Sequence, residues 1–183
     1  MRVKGVLVMS LFLVASFLAC PINVYGAHAI FMEIEGIDGA CNVPGHENNI
    51  MVHSFSHSIS MPATDPIILH TSRSKHAPIE ILKECDKTSP VLFEALCEGR
   101  NINKVTIRFY EINSDPSIEM DNYFTIEVEK VFITKVSPNI VNENGNSKHM
   151  EIVSFEYEKI KWEYKSQNSN VSTGFDVAAN QKI

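Results

Sequence analysis

Seven histidines and four cysteines in a chain of 183 residues invite a search for metal and nucleophile chemistry. A zinc ion needs its ligand nitrogens within about 2.1 Å of itself. His53 and His57 share one face of the stretch 49–61, but four strand residues at about 3.3 Å each set them roughly 13 Å apart. His70 and His76 lie in or beside the next loop and could join them, yet no spacing brings the four to one point. No metal site is expected. A serine nucleophile needs a base and an acid in a recognisable setting. The chain holds no G-x-S-x-G, and Ser56-His57 reads as a pair of strand neighbours. It holds no P-loop and no dinucleotide fingerprint either. The carboxylates are spread along strand faces, where they read as solvated groups. No catalytic residue and no cofactor is expected.

The cysteines divide by position. Cys20 lies in an apolar leader, which leaves Cys41, Cys85 and Cys97, an odd number that implies no tidy disulfide framework. Cys85 and Cys97 flank a helix of nine residues, roughly 13 Å long at 1.5 Å per residue. Bridging its ends would require the chain to fold back. Cys97 falls on the apolar stripe and reads as a small buried hydrophobe.

Residues 1–26 read as a targeting segment. Arg2 and Lys4 open it, and an apolar run of about 15 residues follows, too short for the roughly 20 of a membrane-crossing helix. Pro21 breaks the run, and cleavage after Gly26 or after Ala29 is acceptable by residue type. A lipoprotein box at residues 17–20, an uncleaved anchor and a mis-assigned start are the alternatives. Residues 27–183 then form one domain with room for a core. The whole chain carries 16 Lys+Arg against 22 Asp+Glu. Taking away Arg2 and Lys4 moves the net charge from −6 to about −8. That balance disfavours nucleic acid and anionic membranes as partners, because both reward clustered Lys and Arg.

The elements that must position any function are mostly strands. Residues 85–110 organise them, since they hold the one convincing helix and the clearest strand. Ser89 is placed to cap the helix, Pro90 fits its first position, and Gly99 fits the left-handed residue that ends it. Leu92, Phe93, Leu96 and Cys97 make its apolar stripe, and Arg100 suits its carbonyl end. Val105, Ile107 and Phe109 then alternate with polar residues as a strand. Before it come strands over 29–35, with Ile30, Met32 and Ile34 on one face, over 49–61, and over 77–84. Residues 62–75 read as a long excursion, and such loops are often functional. Residues 113–121 read as a polar turn and 166–183 as a polar tail. Two long strands change phase, one beyond Lys130 and one between Tyr157 and Ile160. Such slips mark bulges, or strands bending from one sheet into another.

Four stretches together resemble the haemolysin-coregulated protein (Hcp) family, the tube-forming protein of bacterial type VI secretion. Residues 31–37 (FMEIEGI) resemble the family's opening strand and glycine turn. Residues 46–57 (HENNIMVHSFSH) resemble its second strand. Asp86-Lys87-Thr88-Ser89-Pro90 with Leu92, Ala95, Cys97 and Gly99 is similar to its helix, and residues 174–182 (GFDVAANQK) to its ending, with Phe175 where Trp is commoner. The resemblance implies a mainly β fold: a compact β-barrel of two curved antiparallel sheets with one short α-helix, shared with phage tail tubes. It implies hexameric rings that stack into an exported tube, carriage of small effectors in the lumen, and contact with other parts of the secretion apparatus. It implies no catalytic residue. It also implies a ring-stacking role for the excursion, whose apolar residues here are Ile67, Ile68 and Leu69, followed by His70. The same residues could instead fold back on their own barrel. One feature departs from the family, whose members reach the tube from the cytoplasm without a cleavable signal. A signal-like start implies passage through the periplasm and a secreted product. The alternative function is a monomeric exported β-barrel that binds a small apolar ligand. A secreted effector that borrows the tube fold is a weaker third.

Overall fold

Branched and aromatic side chains alternate with polar ones over most of the chain, a pattern that suits pleated, half-buried backbone. The computed structural model describes residues 27–62, 73–112, 120–143 and 145–183. Their elements are β1 (Ala27–Ile34), β2 (Ile50–Val52), β3 (Ser54–Ser56), β4 (Ile59–Ser60), β5 (Lys75–His76), β6 (Ile79–Glu84), α1 (Ser89–Glu98), β7 (Ile102–Ile112), β8 (Asp121–Glu143), β9 (Asn146–Glu156), β10 (Lys159–Ser166), β11 (Ser169–Asp176) and β12 (Gln181–Lys182). One run of neighbours is β12-β11-β10-β8-β7-β1-β2. A second joins β3 to β6, β6 to β9 and β9 to the far half of β8, while β4 and β5 pair only with each other. Every ladder between these strands is antiparallel.

Two corners join the sheets. The first is β8, 23 residues long. Its near half pairs with β7 and β10, and residues 132–143 pair with β9. Lys130 has φ +53, and the β9 register shifts between Ile133 and Lys135. The inward residues change accordingly from Ile126 and Val128 to Val131 and Ile133. This is the slip legible in the sequence. The second corner is His53. β2 pairs with β1, β3 pairs with β6, and the inward residues pass from Ile50 and Val52 to Phe55. The result is the expected mainly β fold: two curved antiparallel sheets with one short helix.

Several expectations need correction. The stretch 49–61 is three short strands: the corner at His53 reverses its phase, and after Ser56 the chain leaves β6 to pair only with β5, which leaves Ile59 and Met61 exposed. The long final strand is two, β9 and β10, turning at Tyr157 and Glu158. The polar tail contains β11 and β12. β11 escapes a periodicity search because residues 169–173 are exposed on both faces. Phe31 is buried beside the expected Met32 and Ile34, because His46 stacks on it at 4.0 Å from the loop before β2.

The helix is turned from its expected face. Leu92 and Ala95 are buried, Phe93 and Cys97 are exposed, and Ser89 points inward. Ser89 does not cap. Its hydroxyl accepts the Asp86 N–H at 3.0 Å and donates to Glu151 Oε1 at 2.8 Å, and that inward bond sets the rotation. Thr88 stands at the N-cap with no side-chain cap bond, and Asp86 makes an Asx turn just ahead of it, its Oδ1 accepting from the Thr88 N–H at 2.9 Å and the Thr88 hydroxyl at 2.6 Å. Pro90 sits in the first turn, and Gly99 is left-handed at φ +59. The Gly99 N–H reaches Leu96 O and the Arg100 N–H reaches Ala95 O, a double closure that satisfies two end carbonyls. The Arg100 side chain goes to Glu94 and Glu98. Leu92 and Ala95 join Ile81, Ile107, Val131 and Val153 in the core, where each fully buried large aliphatic contributes about 1.5–3 kcal/mol.

Candidate functional site: open sheet edges, an anchored arm and a buried ion pair

Unpaired strand backbone is the first chemistry on this surface. β12 covers β11 only at Phe175 and Asp176, so residues 169–173 meet no further strand among the described residues. Beyond Phe132, β8 pairs with β9 on one side and with no described strand on the other. Both edges carry exposed apolar side chains. Val171 is 58% exposed and stands opposite Tyr164, and Ile140 is 64% exposed beside Val141. An open edge is a template for pairing with another chain.

The two ends of the excursion lie side by side and form an arm. Its legs, residues 57–62 and 73–77, pair as β4 and β5, with Ile59 opposite His76 and Ser60 opposite Lys75. The Ala77 N–H donates to Ser58 O at 2.9 Å. Tyr157, in the turn after β9, places its hydroxyl 2.8 Å from His57 Nε2 and 2.8 Å from His76 Nδ1. Ile67, Ile68, Leu69 and His70, the expected stacking residues, lie outside the described residues.

A charged cluster is buried where β6, β9 and α1 meet. Lys83 and Glu151 stand opposite each other in the β6–β9 ladder and are 1% and 0% exposed. Lys83 Nζ donates to Glu151 Oε1 at 2.7 Å, to Asp86 Oδ1 at 3.0 Å and to the Glu84 carbonyl at 2.7 Å. Glu151 Oε2 has no hydrogen-bond partner. Burial pushes the adjacent Cys85 thiol up, and the Glu151 charge adds to the push. Burial also works on Asp86, but hydrogen bonds from Thr88 and Lys83 leave its carboxyl below the usual range. Such a cluster fixes geometry. Its charges answer one another and leave no activated nucleophile.

Comparison with known proteins agrees with this reading. Residues 31–164 match the family described as "Type VI secretion system effector, Hcp". The chain belongs to the Hcp family. The "Major exported protein" of Pseudomonas aeruginosa is 31% identical over 132 residues, 70% of this chain and 76% of that protein. The fold is that of Hcp1 from Salmonella typhimurium, with a TM-score of 0.73 at 24% identity, covering 86% of this chain and 99% of that one. The secreted protein Hcp3 from Pseudomonas aeruginosa gives a TM-score of 0.63 at 27% identity, with 82% and 98% covered. This Hcp chain is therefore a member of a type VI secretion family.

The Hcp-like residues take structural posts. Asp86, Ser89, Pro90 and Gly99 build the two ends of α1, and Asp86 and Ser89 also bind the buried pair. The ending lies beyond the matched segment. There, a Cβ on Gly174 would stand 2.9 Å from Ile183 Cγ1 and 3.2 Å from Ile160 O. The histidines do not converge as a set. His53 is 3.7 Å from Glu84, whereas His57 and His76 meet at Tyr157. Among the described residues no group of three or more His, Cys, Asp or Glu is placed to hold a metal. Cys41, Cys85 and Cys97 are free, and Cys97 is exposed where a buried residue was expected. Sequence reasoning missed Lys83 and Glu151, although each shares a strand phase with buried aliphatics.

Proposed function

We propose that this Hcp chain is a structural subunit of the type VI secretion inner tube. Its copies assemble head-to-tail into hexameric rings, and the rings stack. The observation that carries the reading is a filled barrel of the Hcp family with two unlike open edges, on β8 and β11. An edge on one copy that meets a different edge on the next gives a heterologous contact, and such contacts close into rings when the rotation allows. Ile67, Ile68, Leu69 and His70 serve ring-on-ring contact in this reading. Residues 1–26 serve as a targeting segment, small effectors travel in the lumen, and other apparatus proteins are partners. The role is structural rather than catalytic. The ligand-barrel alternative has less support, because Ile107, Ile126, Val128 and Phe155 fill the space between the sheets.

The test is light scattering behind size-exclusion chromatography, followed by negative-stain imaging. Rings with open centres are expected from the parent protein. A Val171→Lys/Ile140→Lys variant is expected to lose them with its thermal transition unchanged. A parent that stays monomeric over a wide concentration range refutes the tube reading.

A further inference from the structure

One phenol holds both legs of the arm. Tyr157 Oη reaches His57 just before β4 and His76 at the end of β5. Ser74 Oγ lies 3.1 Å from the other nitrogen of His76, and the His76 ring stacks on Phe175 of β11 at 5.8 Å. The three polar groups form a chain with a fixed proton count. A phenol has one proton to donate and lone pairs to accept with, and a neutral imidazole has one donor and one acceptor nitrogen. With both rings neutral, Tyr157 donates to one and accepts from the other. With both rings charged, every ring nitrogen is a donor. The phenol proton then loses its acceptor, and two cations face each other across one oxygen.

The surroundings do not offset that charge. Lys75 comes from the arm itself, and Lys182 of β12 lines the same hollow as His76. Glu158, in the turn that carries Tyr157, is held by Lys130 at 2.6 Å. Asp176 of β11 accepts the Ala179 N–H, and Glu80 of β6 accepts the Ser154 hydroxyl. Among the described residues no carboxylate bonds to either ring.

We propose that His57, Tyr157 and His76 form a pH-sensitive latch that holds the arm on the barrel at neutral pH and releases it on acidification. Burial lowers the pKa of both rings, and the His76 charge lowers that of His57 further. The folded state therefore favours neutral rings. The latch is complete above the ordinary histidine value of about 6.5 and is lost as pH falls through the lower folded values. An effect on ring stacking would rest on the tube reading, but the latch itself does not.

Hydrogen-exchange mass spectrometry on the full chain tests it. Peptides over 57–62 and 73–77 are followed from about pH 8 to about pH 5, the window in which histidine changes charge, with rates corrected for intrinsic exchange. A peptide from the buried part of β8 is the reference. Arm protection is expected to fall roughly tenfold, the effect of losing one or two hydrogen bonds at about 1 kcal/mol each, while the reference holds. His57→Gln/His76→Asn cannot charge at these positions, and its arm protection is expected to be flat across the range. Tyr157→Phe is expected to show a loosened arm at every pH. Arm protection in the parent that is unchanged by acid overturns the latch, as does the same acid loss in the double variant. Ring mass is recorded on the same samples. Absence of rings at every pH, with arm protection still falling in acid, would count against the tube reading and not the latch.

Discussion

Replacing Lys83 with methionine should be among the most damaging single changes in the barrel. Lys83 is 1% exposed and Glu151 is 0% exposed, so neither head group reaches water. Lys83→Met removes the cation and leaves a buried carboxylate facing only the Ser89 hydroxyl and the Cys85 thiol, with no positive charge beside it. It also takes one donor from Asp86. Breaking a buried pair from one side typically costs about 3–5 kcal/mol. At about 2–4 °C per kcal/mol for a chain of this size, the melting temperature falls by about 6–20 °C. Glu151→Gln should cost less, about 1–3 kcal/mol, because Lys83 keeps Asp86 and the Glu84 carbonyl. Lys83→Met/Glu151→Leu should recover much of the loss, since apolar replacement of a whole buried pair is often neutral or better. The assay is urea unfolding at fixed protein concentration, followed by the fluorescence of Trp162, the single tryptophan. Lys83→Met losing less than about 1 kcal/mol would refute the reasoning. So would Glu151→Gln losing more than Lys83→Met.

Two further predictions concern backbone and pH. A Cβ on Gly39 would stand 2.0 Å from Asn49 O, so Gly39→Ala must displace backbone and should cost about 3 kcal/mol. Gly99→Ala meets open space but holds φ +59, and should cost about 1–2 kcal/mol. Urea midpoints check the order, and a reversal would be telling. The Asp86 carboxyl is held below its ordinary value, so its contribution is complete above the unfolded pKa of about 3.9 and is lost as pH falls through the lower folded value. Asp86→Asn should therefore cost about 1 kcal/mol at neutral pH and flatten the stability curve below about pH 4. A curve of unchanged slope would show that other carboxyls carry the acid transition.

The sequence carried the strands best where one face is buried. Ile126, Val128, Val131 and Ile133 announce both the strand and its change of sheet. Ile79, Ile81 and Lys83 share a phase, as do Glu151, Val153 and Phe155. Strand period thus marked two charges for burial, and the general expectation that charges are solvated hid them. The helix face was ambiguous for a related reason. Two stripes run through Leu92, and only the distant Glu151 selects the one that takes Ser89 inside. Nothing local joins His57 and His76 to Tyr157, which lies 100 and 81 residues away. β11 stayed hidden because its exposed residues have no core to alternate against.

The position of the buried pair also answers a problem set by the open edge. The β8–β9 hairpin continues past the core, and Ile140, Val141, Ser147, Lys148 and His149 are all exposed. A strand with no buried face specifies its register weakly. Lys83 and Glu151 stand opposite each other on β6 and β9, just before that hairpin leaves the core. A slip of one residue would swing one of the two charges out of the pair and leave the other buried alone. The pair therefore sets the register of β9, and β9 sets the register of the open half of β8. In the tube reading, where this edge presents its backbone to another copy in one alignment, that constraint is worth more than the stability of an aliphatic pair at the same place.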